Sequence, residues 1–306
     1  VLKDQQMSKN TTIQWCDSTI NPVMGCSGCE LWTEDRHTCY AGQLHLRRTT
    51  SKGFAPDFLT PKLFPGRMAE AANWSDLTGS KRRDKPWLDG LPRLIFVSDM
   101  GDALSEKDAI DADNEAVEGG AVPFPFLKAE IVDTAQSEKG CRHQWLWLTK
   151  RPNRLFQFER WLGELHGLEL PSNLWVGTSV TGPNTLNRIE HIRKVGGKET
   201  IRFLSVEPLW EQVTLADRLD GISWVILGGE SSQGIRAEVF KTEWADQLLS
   251  ECRRAKTAFF LKQLGSQPTR NDQRLALPDR HGGDWSCWPR NLQVRQMPLI
   301  SKTAPA

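Results

Sequence analysis

"QWLWLTKRP" at residues 144–152 runs straight into "NRLFQFERWLGELH" at residues 153–166. The first stretch holds the unbroken apolar run Trp145-Leu146-Trp147-Leu148. Near-continuous hydrophobicity over so few residues suits a buried strand in a parallel sheet covered on both faces. It ends on Thr149, Lys150 and Arg151. In the segment that follows, Leu155, Phe158 and Leu162 recur at helical spacing with charges between them. A strand, a polar end and a helix make one β/α unit.

The same order repeats along the chain. "RLIFVSDMGD" (93–102), "NLWVGTSV" (173–180), "IRFLSVEP" (201–208), "SWVILGGESS" (223–232) and "AFFLKQLG" (258–265) are further buried-strand runs, and "TTIQWC" (11–16) supplies an earlier one. Helical segments fall between them, in residues 122–138, in "PNTLNRIEHIRKV" (183–195) with Asn184 as its cap, and in "KTEWADQLLSECRRA" (241–255). The last aligns Trp244, Leu248 and Cys252 and carries Arg253 and Arg254 where they favour the helix dipole. This alternation predicts an α/β fold with parallel strands, a full or partial (β/α) barrel first and a doubly wound sheet second. The expected organisation is a disordered N-terminus at 1–10, one barrel-like domain at 11–265, and a C-terminal extension with a frayed tail at 266–306. Residues 76–90, "DLTGSKRRDKPWLDG", read as an exposed loop.

Bulk composition narrows the class. A chain of 306 residues with 39% hydrophobic and 25% charged content can bury a large core without disulfides. The net charge of +1 gives no global pull toward nucleic acid or membrane. No apolar run approaches the roughly 20 residues of a bilayer span. The polar opening "VLKDQQMSKN" lacks the apolar core of a signal peptide, so a reducing cytoplasmic compartment is expected.

Ligands of parallel barrels sit at the C-terminal ends of the strands. Here those ends carry Ser98, Asp99 and Asp102; Thr149, Lys150 and Arg151; Ser179; Ser205 and Glu207; Gly229, Glu230 and Ser231; and Lys262 with Gln263. Six polar endings in succession predict a shared polar mouth. Lys150-Arg151-Pro152 and Lys262 are candidate anion binders. "LGGES" (227–231) lacks the glycine pattern of a phosphate loop.

Four of the seven cysteines, Cys16, Cys26, Cys29 and Cys39, fall within 24 residues. Random placement would put about half a cysteine there. Cys141, Cys252 and Cys287 are scattered and read as small buried hydrophobes. A disulfide suits a secreted chain and is set aside. Two chemistries stay open. The spacing C-x9-C-x2-C-x9-C could close a tetrahedral zinc site on Cys16, Cys26, Cys29 and Cys39, with His37 or His45 as alternative fourth ligands. Cys16, however, ends the expected first strand, where a buried thiol is the ordinary explanation. Alternatively, three thiolates hold three irons of a cubane and leave the fourth iron open.

The order and spacing of "IQWCDSTINPVMGC", "CYAG", "IFVSDMGDAL", "WLTKRP", "LWVGTSV", "RFLSVEPL", "WVILGGESS" and "FFLKQLG" resemble the phage-associated three-cysteine proteins of the DUF5131 group, found in phages and bacteria. The resemblance runs from about residue 12 to about residue 298. That group is similar to radical S-adenosylmethionine barrels in its three-cysteine motif. The resemblance implies a 4Fe–4S cluster on Cys26, Cys29 and Cys39, S-adenosylmethionine on the open iron, and an external electron donor. The spacing C-x2-C-x9-C departs from the C-x3-C-x2-C usual in radical S-adenosylmethionine enzymes, and Cys26 and Cys39 match through their flanks, Gly25 and Tyr40-Ala41. Gly228-Gly229-Glu230 resembles the element that grips the cofactor's amino group but lies on a late strand, so that role is not carried over. Ser98, Asp99 and Asp102, at the second strand end, are the candidates for cofactor binding. Lys150, Glu207, Glu230 and Lys262 are the candidate catalytic residues. Phage association, with "KRRDK" (81–85) beside Trp74 and Trp87, suggests a nucleic-acid or nucleotide substrate. The reading from another class is a non-catalytic binding module with the four-cysteine zinc site.

Overall fold

Six of the apolar runs become strands, each beginning within one residue of the start of its run. The computed structural model describes residues 7–47, 53–231 and 237–300. Its parallel strands are β1 (Ser18–Ile20), β2 (Arg93–Val97), β3 (His143–Thr149), β4 (Leu174–Ser179), β5 (Arg202–Val206), β6 (Trp224–Gly228) and β7 (Ala258–Gln263). The helices are α1 (Tyr40–Leu46), α2 (Arg67–Ala72), α3 (Phe124–Leu127, a π-helical Lys128–Val132, then Asp133–Gln136), α4 (Pro152–His166), α5 (Asn187–Ile192) and α6 (Thr242–Ala255). Every residue of β2, β5 and β6 is buried, as parallel strands covered on both faces require.

The chain divides into two compact units, residues 1–176 with 195–200, and residues 177–194 with 201–306. In the first, β1 pairs in parallel with β2 (Ser18 opposite Ile95) and β2 with β3 (Arg93 opposite His143). In the second, β5 pairs with β6 (Phe203 opposite Trp224) and β6 with β7 (Trp224 opposite Ala258), again in parallel. Each unit is thus a parallel β/α run of the kind that builds a partial (β/α) barrel, and the fold class is α/β.

Packing follows the predicted faces except at Trp244, which is only half-buried. Helix α4 buries Leu155, Phe158 and Leu162 and stops at Gly167, whose left-handed φ of 63° closes the helix. Helix α6 buries Ala245, Leu248, Leu249 and Cys252. The C-terminal segment covers the far side of β7: Leu261 N–H donates to Val294 O and Gln296 N–H to Phe259 O, at 2.9 Å each. A bare strand edge is thereby paired. Arg295 anchors this segment, its guanidinium 5.0 Å from the Trp285 ring centroid and 5.4 Å from that of Trp288.

One expectation is corrected and another refined. "TTIQWC" is not a strand: the first parallel strand is Ser18–Ile20, and the carbonyls of Thr11, Ile13 and Cys16 are taken by the Lys85 ammonium at 2.6–2.7 Å. Residues 76–90 are an irregular, mostly exposed segment, as expected, but one anchored to the core by particular side chains. Arg82 pairs with Asp17 at 3.1 Å, with both side chains under a tenth exposed, and Trp87 Nε1 donates to Gln14 O. Side-chain cations, not a ladder, satisfy that backbone. The outermost parts of the expected 1–10 and 266–306 segments, residues 1–6 and 301–306, lie outside the described residues. Among the described residues no helix is long and apolar enough to cross a membrane.

Candidate functional site

The loop after β1 carries the cysteines. Gly25 N–H donates to Met100 O, and Asp102 N–H returns to Gly25 O, tying this loop to the one after β2. The approach requires two glycines. Gly25 has φ +87°, and a Cβ at Gly101 would stand 2.3 Å from Gly25 O. Cys26 N–H donates to Phe58 O, Trp32 N–H to Cys29 O, and Cys39 N–H to Leu31 O. Cys39 then caps α1, its carbonyl accepting from Gln43 N–H at 2.9 Å.

Cys26 and Cys39 pack in one apolar cluster with Met24, Phe54, Phe58 and Met100. Burial pushes all three thiols up, Cys26 against the opposing charge of Arg151, and Cys29 and Cys39 against that of Lys150. The thiols also sense one another: Cys29 acts on Cys26, Cys39 on Cys29, and Cys26 on Cys39. The three thiols thus lie near one another on one loop, with the positive charges of Arg151 and Lys150 acting on them.

The other candidate ligands are engaged elsewhere. Cys16 is fully buried, and its thiol lies in the field of Lys85. His37 packs on Trp32 at a tilt of 37°, ring centroids 4.5 Å apart. His45 is buried between Phe54 and Phe58, and burial lowers its pKa.

At the ends of β2 and β3 the carboxylate of Asp102 organises the site. It accepts from Leu104 N–H (3.0 Å), Thr149 Oγ1 (2.9 Å), Lys150 N–H (3.0 Å) and Arg151 Nη1 (2.9 Å). Its acceptor capacity is filled by the protein, so it acts as a scaffold for the Thr149-Lys150-Arg151 turn. Arg151 continues to the cysteine loop, donating to Cys26 Sγ at 3.6 Å, Ser27 Oγ at 2.8 Å and Gly28 O at 2.7 Å. Burial disfavours its charge, but Asp102 and Cys26 outweigh that and raise its pKa. Asp99 accepts from Asn21 Nδ2 at 2.6 Å and is pushed up to about 6 by desolvation. Ser98 stands at φ 74° with its hydroxyl buried and without a hydrogen-bond partner among the described residues.

The second unit places the remaining candidates. The Lys262 ammonium pairs with Glu207 Oε1, with side chains 21% and 16% exposed. Gln263 Nε2 donates to Gly229 O at 2.9 Å and to Ser231 Oγ. Glu230 is buried; Oε2 accepts from Glu238 N–H at 2.8 Å, while Oε1 has no hydrogen-bond partner among the described residues.

Over residues 10–282 the chain matches DUF5131, described as a protein of unknown function. The chain belongs to the DUF5131 family. No curated protein and no solved structure matches it.

Sequence reasoning marked Arg151 in this DUF5131 chain only as a candidate anion binder, and it passed over Ser27 and the carbonyl of Gly28. The available signal was a guanidinium directly after an apolar run; its reach back to a loop more than a hundred residues earlier is a tertiary fact. The "KRRDK" stretch offers no free cationic face at Arg82 or Lys85, which are spent on Asp17 and on backbone carbonyls. Among the described residues no group of three or more His, Cys, Asp or Glu side chains could hold a metal ion as placed. What this site offers an iron–sulfur cluster is its donor chemistry: three soft thiols on one loop, apolar walls and two cations to offset thiolate charge.

Proposed function

We propose that Cys26, Cys29 and Cys39 ligate a 4Fe–4S cluster and that the protein is a radical S-adenosylmethionine-like enzyme, with the cofactor on the open iron. The observation that carries this reading is the folding of one cysteine loop that packs Cys26 and Cys39 in a single apolar cluster, with Arg151 Nη1 3.6 Å from Cys26 Sγ. When bound, such a cluster would supply, from an external one-electron donor, an electron for reductive cleavage of the cofactor's sulfonium.

The chain's own residues have separate tasks. The three thiols lose their protons on ligation, and the two cations compensate the charge left behind. Met24, Phe54, Phe58 and Met100 keep water from Cys26 and Cys39. Ser98 brings a buried hydroxyl to the end of β2, and Asp99 a carboxyl able to exist in either protonation state near pH 6.

The test begins with anaerobic reconstitution and assay of iron and sulfide. About four irons per chain are expected, with brown absorbance lost in Cys26→Ala, Cys29→Ala and Cys39→Ala and kept in Cys16→Ala. One stoichiometric zinc that disappears in Cys16→Ala would instead establish the four-cysteine structural site. Reductant-dependent release of 5′-deoxyadenosine from S-adenosylmethionine then tests the enzyme. A loaded cluster that never cleaves the cofactor reduces the role to electron transfer or sensing.

A further inference from the structure

Arg151 is held more tightly than a surface cation needs to be. Its side chain is 12% exposed, and its planar fork is divided between the two loops. Nη1 lies 2.9 Å from Asp102 Oδ2 and 3.6 Å from Cys26 Sγ, and Nη2 donates to Ser27 Oγ and Gly28 O. Nε faces Glu106 at 3.8 Å. Asp102 is itself fixed by Leu104, Thr149 and the Lys150 amide, so the guanidinium has little freedom to leave the sulfur. A lysine could supply the charge but not this fork, which spans sulfur, hydroxyl and carbonyl at once.

Adding an electron to a thiolate-ligated centre increases negative charge on its sulfurs. A fixed N–H donor and a cation at one sulfur stabilise that reduced state more than the oxidised one. Asp102 cancels part of the cation's far field, which leaves the short-range N–H···S contact as the larger effect. We propose that Arg151 is a positioning residue that raises the reduction potential of the centre bound through Cys26. This rests on the cluster reading of the same cysteines. The step is a one-electron reduction by an external reductant; no covalent bond is made or broken, and Arg151 keeps its proton.

The experiment is a dithionite potentiometric titration of reconstituted full-length protein, followed by EPR, on wild type, Arg151→Gln, Arg151→Lys and Ser27→Ala. Iron and sulfide are quantified first. In Arg151→Gln, with iron unchanged, the reduced-to-oxidised ratio at a given potential should fall about tenfold, equal to about 59 mV for one electron. Arg151→Lys should shift less, because it keeps charge and loses the fork, and Ser27→Ala less again. A wild type that takes up no cluster overturns both this inference and the function proposed above. A loaded wild type and a loaded Arg151→Gln with the same potential overturn this inference alone. Where Arg151→Gln fails to load, the other two variants decide: a negative shift supports the role and an unchanged potential overturns it.

Discussion

Lys262 reaches Glu207 across the strand that separates them. Lys262 lies near the end of β7 and Glu207 just past the end of β5, while β6 between them ends at Gly228. A Cβ at Gly228 would stand 3.1 Å from the Glu207 carboxyl. The glycine is therefore what lets the acidic side chain lie over the middle strand and meet the ammonium.

That geometry makes the pair sensitive to losing one member. Lys262→Met leaves Glu207, 16% exposed, with an uncompensated charge and should cost about 2 kcal/mol, less than a wholly buried pair because some water remains. The double variant Glu207→Gln with Lys262→Met should cost less than the two singles together. Urea midpoints for the four proteins give the coupling directly, and additive singles would show that the pair contributes nothing.

The basic stretch at 81–85 makes a contrasting case. Arg82 pairs with Asp17 at 3.1 Å, while Arg83 is 95% exposed beside Asp84. Arg82→Met should destabilise by about 3 kcal/mol, because Asp17 stays buried without its partner. Arg83→Ala should stay within about 0.5 kcal/mol. Equal losses in thermal or urea unfolding would contradict the assignment of Arg82 to the core.

The strand runs were legible because both faces of a parallel strand are buried, and apolar continuity in the sequence records that. β1 was not, since Ser18 and Thr19 are polar and its three residues carry no such run; the neighbouring "TTIQWC" looked the part, but its carbonyls go to Lys85. At the site, the cysteines announced themselves by clustering, and Lys150 by its place at a strand end. The part of Asp102 was not readable. A carboxylate that will hold four donors from two segments looks, in one dimension, like one that will hold a ligand. Glu207 and Lys262 were both singled out, yet their pairing depends on strand order and on a glycine between them.

His45 was an alternative metal ligand in the sequence and is wedged between Phe54 and Phe58 in the fold. Burial lowers its pKa below 6.5, so the unfolded chain binds its proton more readily than the folded one. Its contribution to stability is present above about pH 6.5 and is lost as pH falls toward the depressed value. His45→Leu should flatten the acid limb of the stability curve below about pH 6.5 while leaving metal loading unchanged. Loss of bound metal in this variant, with its fold intact by circular dichroism, would restore His45 as a ligand.

Asp99 behaves in the opposite sense. Desolvation lifts it from 3.8 to about 6, against the hydrogen bonds from Asn21 and Thr19 that favour its charge. The folded protein therefore holds this proton between about pH 4 and 6, where the unfolded chain has released it. Its stabilising contribution is complete below about pH 4 and disappears as pH rises through about 6. Asn cannot titrate, and its side-chain oxygen still accepts from Asn21, so Asp99→Asn serves as the reference. The stability of wild type minus that of Asp99→Asn should fall by up to about 2 kcal/mol between pH 4 and 7. Urea unfolding of both proteins at pH steps across that window measures it, and a constant difference would place the Asp99 titration below pH 4, in ordinary solvent.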